Sequence, residues 1–273
     1  MNRTYSLAYL TAAPLSPPES VSLAARLGYG AVGLRAMPAA PGGSYDPLME
    51  DKALVRETVR RMADTGVSVF DVEIVRLAPD FDIETFKPFL ALCGDLSAKA
   101  VLVAGDDPDE GRLTANFAAF CQAAAPYGVS ADLEFMPWTR VPDAKAALRI
   151  VTAAGQPNGG ILVDGLHVGR STTSLEDLRA IPRAMLHYAQ ICDAEPGTHF
   201  TVEELIHTAR CARLLPGEGG IDLAGIFAAL PADLPVSVEI PHDVRKPQLG
   251  VEEWARQALA ATRRLLEPAP TVR

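Results

Sequence analysis

The sequence contains few cysteines, and no two of them form a CxxC pair. The 273-residue chain has four, at Cys93, Cys121, Cys192 and Cys211. A chain of this length buries enough apolar surface to fold without cross-links. We therefore expect the cysteines to be reduced core residues and the protein to be cytoplasmic.

Long apolar runs are also missing. No segment approaches the roughly 20 consecutive apolar residues that a membrane-spanning helix needs. The apolar run at residues 7–10 is interrupted soon afterwards by Thr11 and Pro14, which makes it too short for a signal peptide. The sequence therefore predicts neither a membrane span nor a secretory leader.

The chain has no block of basic residues, and its formal charge is −9. A negatively charged protein repels phosphate backbones and anionic lipids, so we expect no nucleic-acid partner and no membrane partner. An anionic small molecule can still bind where a metal ion or a local arginine supplies positive charge.

Short β-like runs alternate with longer amphipathic stretches along the whole chain. Several of the amphipathic stretches end at a glycine, as at Gly28 and Gly66, and glycine is the usual residue after a helix. The predicted strands are residues 5–9, 31–34, 68–72, 100–103, 130–134, 160–163, 186–191 and 236–240. The predicted helices are residues 18–27, 51–65, 83–96, 112–127, 143–154, 175–181, 222–229 and 251–266.

Eight strand–helix units in this order predict a parallel sheet closed into a (β/α)8 TIM barrel, formed by residues 1–273 as one catalytic domain. The alternative is an open doubly wound sheet, which usually has a glycine-rich phosphate loop after its first strand. Residues 10–14 contain no such loop. The loop after the seventh strand, residues 193–221 with a short helix at 202–213, is the longest, and we expect it to cover a ligand.

Active sites of such barrels lie at the carboxyl ends of the strands. Strands five to eight bring Glu134, Asp164, Gln190 and Glu239 to that rim, each within an apolar run. Three neighbouring carboxylates repel one another unless a cation neutralises them, and oxygen ligands favour Mg2+ or Mn2+. We therefore predict that these four residues bind a divalent metal ion.

Each of the four residues also has a structural alternative when it is taken singly. The alternatives are a helix N-cap for Asp164, an ion pair with Arg35 or Arg140 for Glu134, an ordinary buried amide for Gln190, and an ion pair with Arg245 for Glu239.

Two aromatic residues follow the same strand ends. His167 lies three residues after Asp164, where it can contact a substrate oxygen or move protons, or alternatively cap a backbone carbonyl. Trp138 follows the fifth strand and either forms an apolar wall of the substrate pocket or packs in the core.

Charged residues at the same end of the barrel are candidates for substrate binding. Arg35 and Glu73 end the second and third strands, and they either reach the substrate or pair with each other. Arg210 and Arg213 precede a glycine-rich loop, where they either clamp an anionic substrate group or lie on a solvated helix face.

At these residues the chain resembles the sugar phosphate isomerase/epimerase family, which has a xylose isomerase-like TIM barrel. The matching segments are Leu133-Glu134, Val163-Asp164 with His167, Gln190 to Asp193, Leu215 to Gly219 with Asp222, and Val238-Glu239. The resemblance implies a Mn2+-, Mg2+- or Co2+-dependent enzyme with metal ligands at Glu134, Asp164, Gln190 and Glu239. It also implies proton transfer by the two glutamates and contact between His167 and the substrate.

The chain departs from the sugar epimerases of that family at Gln190, where they usually have histidine. Glutamine there resembles the 3-dehydroshikimate dehydratase branch, which shares the run from Gln190 to Ala194 and an arginine-rich segment before Pro-Gly. The resemblance therefore leaves several activities open.

We expect a metal-dependent isomerase or epimerase that abstracts a proton α to the carbonyl of a small keto-sugar or polyol. The alternatives are a metal-dependent dehydratase (a lyase) of the 3-dehydroshikimate or keto-inositol type, which acts on a cyclic keto-acid or keto-polyol, and a non-catalytic barrel that binds a small molecule. The endonuclease relatives of the fold use several histidines and bind DNA, which disagrees with five histidines and a net negative charge. Homo-oligomers are common in the family, but nothing in the chain decides the oligomeric state.

Overall fold

Eight parallel strands close into a barrel in the order in which they occur along the chain. The computed structural model describes residues 3–40 and 42–267. The strands are β1 (Tyr5–Leu7), β2 (Ala31–Arg35), β3 (Ser68–Leu77), β4 (Ala100–Gly105), β5 (Ser130–Glu134), β6 (Gly159–Asp164), β7 (Ala189–Ile191) and β8 (Val236–Val238). The predicted closed (β/α)8 barrel is thus confirmed, and the open doubly wound sheet is excluded.

Helices connect successive strands. They are α1 (Tyr9–Ala12), α2 (Pro17–Leu27), α3 (Lys52–Thr65), α4 (Lys87–Asp95), α5 (Glu110–Ala124), α6 (Ala144–Ala154), α7 (Gly165–Arg170), α8 (Leu175–Arg179), α9 (Val202–Cys211), α10 (Leu223–Ala229), α11 (Arg245–Leu249) and α12 (Val251–Leu266). Three 3-10 turns lie at Ile83–Phe86, Ala125–Tyr127 and Arg183–Met185. Among the described residues, no helix is both long enough and apolar enough to cross a membrane.

The ends of the helices follow the local sequence. Gly28 and Gly66 end α2 and α3 with φ angles of 83° and 76°, a left-handed conformation that side chains disfavour. Asp51 begins α3 by accepting hydrogen bonds from the backbone N–H groups of Ala53 and Leu54. These local signals explain why helix boundaries were predicted to within a few residues at most of the long helices.

Two apolar clusters hold the barrel together. The larger one lies between the strands and the surrounding helices and includes Phe117, Phe120 and Trp254, which are almost completely buried. The smaller one contains alternate residues of β4, such as Ala100 and Leu102, and these face the barrel interior because side chains alternate along a strand.

The register of the strands determines which side chains meet at the carboxyl end. Glu134 of β5 is paired with Leu162 of β6, and Asp164 of β6 is paired with Gln190 of β7. Ile191 of β7 is paired with Val238 of β8, so Glu239 follows directly at the same level. The four predicted metal ligands therefore lie on neighbouring strands at one end of the barrel.

Candidate functional site

Glu134, Asp164, Gln190 and Glu239 are almost fully buried, with 4%, 0%, 0% and 3% of their surfaces exposed. Glu134 and Asp164 end β5 and β6, Gln190 is the middle residue of β7, and Glu239 directly follows β8. The following contacts show how closely the structure brings them together.

Arg213 joins two of these carboxylates. Its Nη1 donates to Oδ2 of Asp164 over 2.7 Å, and its Nη2 lies 2.8 Å from Oε2 of Glu239. The guanidinium is only 3% exposed, and its Nε donates to the backbone oxygen of Ala209. Arg213 therefore lies in the base of the site, and the alternative of a solvated helix face is wrong for this residue.

The side-chain nitrogen of Gln190 makes a hydrogen bond, whereas its side-chain oxygen makes none among the described residues. Its Nε2 donates to Oε1 of Glu239 over 3.2 Å. Its Oε1 is buried without a hydrogen-bond partner anywhere in the described part of the chain. Because a buried oxygen without a partner is costly, this atom is a ready ligand for a cation.

His167 lies close to two of the predicted ligands, Glu134 and Asp164. Its Nε2 is 3.5 Å from Oε1 of Glu134 and 3.6 Å from Oδ2 of Asp164. Burial lowers the pKa of His167 to about 4, although Asp164 acts in the opposite direction. The imidazole is therefore neutral near pH 7, and Trp138 packs edge-on against it with 5.1 Å between ring centres.

The two carboxylate oxygens of Asp164 have different partners. Its Oδ1 accepts from the N–H of Leu166 and caps α7, while its Oδ2 binds Arg213. Burial would raise the pKa of Asp164, but Arg213 and His167 outweigh burial and hold that pKa below its ordinary value. The predicted N-cap is thus present, and it leaves the second oxygen facing the site.

The charges at the site do not balance. Burial and then Asp164 and Glu239 raise the pKa of Glu134 well above its ordinary value. Burial raises the pKa of Glu239 to about 8, against the effect of Arg213. Three carboxylates face one guanidinium, which leaves two negative charges when all are ionised. One divalent cation would neutralise them.

The donor set fits such a cation. Glu134, Asp164 and His167 each offer one atom, and these atoms lie within 4.8 Å of one another. Glu239 lies outside that group, but Arg213 joins it to Asp164, and Nε2 of Gln190 donates to it. Hard carboxylate and amide oxygens with one imidazole suit Mn2+, Mg2+, Co2+ or Zn2+. His167 was predicted to contact the substrate, and its distances also make it a candidate metal ligand.

The sequence left open whether Arg35 and Glu73 reach the substrate or pair with each other. Their side chains pair with each other over 2.7 Å, and Glu73 is only 2% exposed. The guanidinium of Arg35 also lies over the ring of Tyr9, 4.5 Å from its centre. Arg35 and Glu73 still line the cleft above the carboxylates, so pairing does not remove them from reach of a ligand.

The cleft that leads to this site has a charged and an apolar part. Its charged lining consists of Arg35, Glu73, Arg76, Glu134, His167, Arg210, Arg213 and Glu239. Its apolar lining includes Leu10, Ile74, Leu102, Met136 and Trp138. Trp138 therefore borders the cleft, as one of its two predicted roles requires.

Arg76 is a cleft residue that sequence analysis missed. The third strand was predicted to end at residue 72, but β3 continues to Leu77. The strand extends because Glu73 pairs with Arg35 of β2 and residues 75–77 pair with β4 as far as Gly105. The apolar residues Ile74 and Val75, which precede Arg76, were the sequence signal that the strand continues.

Two predicted alternatives for ion pairs are wrong. Arg245 pairs with Glu218 and not with Glu239. Arg35 pairs with Glu73 and not with Glu134. His187 lies at the opposite end of the barrel, where its Nδ1 is 2.7 Å from Oδ1 of Asp132.

Asp193 organises the loop beside the site, a role that the sequence did not reveal. Its Oδ2 accepts from the N–H groups of Gly217 and Gly219, and its Oδ1 accepts from those of Ala194 and Ile221. The carboxylate is 1% exposed. The loop that follows Arg213 is thus tied to the end of β7.

Similar proteins agree with this architecture. A model of the xylose isomerase-like TIM barrel family matches residues 21–265. A 3-dehydroshikimate dehydratase of Pseudomonas aeruginosa is 28% identical over 203 residues, which are 73% of this chain and 29% of that protein. This chain thus matches less than a third of the length of that relative.

An inosose isomerase of Bacillus licheniformis is 28% identical over 193 residues, which are 66% of this chain and 67% of that protein. Among solved structures, the crystal structure of the IOLI protein with a bound zinc atom superimposes with a TM-score of 0.78 and 20% identity. That comparison covers 96% of this chain and 98% of the other, and it shows a shared fold.

Proposed function

The chain belongs to the xylose isomerase-like TIM barrel family, and from this premise we propose that it is a divalent-metal-dependent isomerase or epimerase. Its substrate is a small keto-sugar or polyol that loses a proton α to a carbonyl. The observation that carries the proposal is the cluster of Glu134, Asp164 and Glu239, three buried carboxylates with only one guanidinium among them.

Glu134, Asp164, Gln190 and Glu239 are the proposed ligands, with His167 close to two of them. A cation bound there would supply a Lewis acid for the negative charge that develops on the carbonyl oxygen of the substrate. Mn2+, Mg2+ and Co2+ are the proposed ions, and the relative with a bound zinc atom makes zinc a further candidate.

Glu134 and Glu239 are the proposed proton-transfer groups. They lie on strands three positions apart around the barrel, so they can approach a bound substrate from different sides. One carboxylate removes the proton next to the carbonyl, and the other delivers a proton to the opposite face or to the neighbouring carbon. Burial raises the pKa of both carboxyl groups, to about 8 for Glu239, which is the direction that makes a carboxylate a better proton acceptor.

His167 and Trp138 are proposed to position the substrate. A neutral imidazole can donate one hydrogen bond to a substrate hydroxyl or carbonyl oxygen without adding charge. Trp138 fixes the imidazole edge-on and provides an apolar wall with Met136, which limits the access of water.

Dehydration of a cyclic keto-acid or keto-polyol is the second candidate. Gln190 favours it, together with the similarity to the dehydratase of Pseudomonas aeruginosa. The first step is the same, but the second carboxylate then protonates a β-hydroxyl, which leaves as water with formation of a C=C bond. A barrel that binds a small molecule without turnover is the non-catalytic alternative.

Proton NMR in D2O tests the proposal. Metal-stripped protein, with and without added Mn2+, is incubated with ketohexoses, ketopentoses, keto-inositols and 3-dehydroshikimate. Mn2+-dependent deuterium incorporation next to the carbonyl, or a new epimer, supports the isomerase. Loss of a hydroxyl with a new alkene or aromatic signal identifies the dehydratase instead.

Glu239→Gln is the matched variant, because it keeps the shape of the side chain and removes its ability to accept a proton. We expect it to lower turnover at least 100-fold. Wild-type turnover by Glu239→Gln would contradict the assignment of Glu239, and turnover that is equal with and without metal would contradict the metal-dependent mechanism.

A further inference from the structure

Four arginines line the cleft above the carboxylates. Three of them have acidic partners within 2.8 Å. The pairs are Arg213 with Asp164 and Glu239, Arg35 with Glu73, and Arg76 with Asp106.

Arg210 is the exception among them. It lies at the end of α9, three residues before Arg213, and within the described part of the chain it has no acidic partner and no side-chain hydrogen bond. Burial lowers the pKa of Arg210, and the nearby positive charges of Arg76 and Arg35 lower it further. Arg210 thus shares the cleft with Arg35 and Arg76 and lacks the acidic partner that each of them has.

The position of Arg76 is fixed before any ligand binds. Its Nε donates to the backbone oxygen of Ala39 over 2.8 Å, and its Nη1 donates to Oδ2 of Asp106 over 2.6 Å. Its Nη2 makes no hydrogen bond within the described residues. A guanidinium that is held at Nε and Nη1 and free at Nη2 can donate to an anion with little loss of side-chain entropy.

We propose that the substrate has an anionic group, a carboxylate or a phosphate, that binds between Arg76 and Arg210 while its carbonyl lies at Glu134 and Glu239. This inference rests on the proposed function and narrows its substrate class from neutral sugars to acids or phosphate esters. Arg35 and Arg76 already have acidic partners, so Arg210 brings to the cleft a positive charge that an anionic group of the substrate would balance.

Arg210 is exposed, whereas the carboxylates of the site are buried. Glu134 and Glu239 are at most 4% exposed, whereas Arg210 lies at the solvent side of the cleft. A substrate with a reactive carbonyl at one end and an anion at the other would therefore bind in one orientation only.

Isothermal titration calorimetry of the Mn2+-loaded protein with two matched pairs of compounds tests the inference. The first pair is 3-dehydroshikimate and its methyl ester, and the second is fructose 6-phosphate and fructose. We expect the wild type to bind the anionic member of one pair roughly 10- to 100-fold more tightly than its neutral partner, as expected for charge-assisted hydrogen bonds. The pair that shows the preference identifies the anion as carboxylate or phosphate.

Three variants accompany the wild type. Arg210→Gln is expected to abolish the preference, Arg210→Lys to keep part of it, and Arg60→Gln to leave it unchanged. Arg60 is an exposed arginine of α3 that pairs with Glu57 and does not line the cleft. Equal affinity for both members of both pairs, no binding of either anion, or a preference that survives in Arg210→Gln would overturn the inference.

Failure of the inference can be distinguished from failure of the proposed function. If Mn2+-dependent proton exchange occurs on a neutral ketose and Arg210→Gln does not change it, the proposed function is supported and the anion site is contradicted. If anions bind in a manner that depends on Arg210 but no compound is turned over, the anion site is supported and the proposed enzymatic function is contradicted.

Discussion

Arg213 shows how much one side chain determines at the residue scale. Its guanidinium pairs with Asp164 and Glu239 at once, deep in the base of the cleft. Lysine has one compact ammonium and cannot match the two carboxylates with two separate N–H groups. The arginine therefore fixes the geometry of the predicted metal ligands as well as part of their charge.

Removing this guanidinium is expected to destabilise the metal-free protein. In Arg213→Met two buried carboxylates lose their cation, and breaking a buried ion pair costs about 3–5 kcal/mol. Urea unfolding in EDTA measures this loss, and added Mn2+ should restore part of it by replacing the lost positive charge. Arg60→Met is the exposed control, and a variant Arg213→Met as stable as wild type in EDTA would contradict the assignment.

Asp71 is a second buried acidic group, and it has no ion-pair partner among the described residues. Both of its carboxylate oxygens lack hydrogen-bond partners in the described part of the chain, and 1% of the residue is exposed. Burial, followed by Glu73, Glu239 and Asp132, raises the pKa of Asp71 well above its ordinary value. The folded protein therefore keeps the proton of Asp71 when the unfolded chain has lost it.

This difference makes the stability of the protein depend on pH. A carboxyl group with a raised pKa stabilises the folded state below its unfolded pKa, and this stability is lost as pH rises towards the folded pKa. Asp71→Asn cannot ionise, so its advantage over wild type should grow by about 1.4 kcal/mol per pH unit above pH 5. Urea unfolding in EDTA at several pH values tests this, with exposed Asp80→Asn as control. A constant difference would show that Asp71 is not neutral in the folded protein.

The sequence predicted which residue types meet at the strand ends, but not how they pair. Glu134, Asp164, Gln190 and Glu239 could be located because each follows an apolar strand of predictable length. The pairing of Arg213 depends on the path of the loop between β7 and α10, and no local periodicity encodes that path. Arg76 was missed for a related reason, since the length of β3 depends on its pairing with β4.

At the element scale, the loop after β7 depends on Asp193. One carboxylate accepts four backbone N–H groups, including those of Gly217 and Gly219. A side chain at Gly219 would collide with the backbone oxygen of Ala194, so the close approach requires glycine there. The loop holds Arg213 and Arg210 near the cleft, and its order should therefore affect ligand binding.

Asp193→Asn replaces one accepting oxygen by an NH2 group that faces backbone donors. We expect a loss of stability of about 2–3 kcal/mol, because hydrogen bonds to a charged group are broken and donors are left unpaired. Hydrogen exchange of residues 194–221 should accelerate more than that of β1 to β6. Exposed Asp80→Asn is again the control, and unchanged exchange in the loop would contradict this role for Asp193.

The helices show where local sequence is sufficient. Long helices with a polar cap and a terminal glycine, such as α3, were predicted within one residue. The short helices α1, α7 and α11 were missed, since four to six residues show too little periodicity to be recognised. Their existence depends on contacts with the barrel and not on helix propensity.

At the scale of the whole molecule, the number and order of strand–helix units were enough to predict the closed barrel. Parallel neighbours require crossover connections, and eight units close a barrel in a single turn. The interior is more polar than a purely structural barrel would need, because Asp71 and Asp132 lie within it as well as the site residues. The proposed cation accounts for the carboxylates at the carboxyl end of the barrel, whereas Asp132 is paired with His187 at the opposite end.

Calorimetric titration of metal-stripped protein with Mn2+ measures directly whether the cleft binds one divalent cation. We expect one Mn2+ per chain, with an affinity that falls at least 100-fold in Asp164→Asn and stays unchanged in exposed Asp80→Asn. No binding by the wild type, or equal binding by wild type and Asp164→Asn, would contradict the proposed metal site and the chemistry that depends on it.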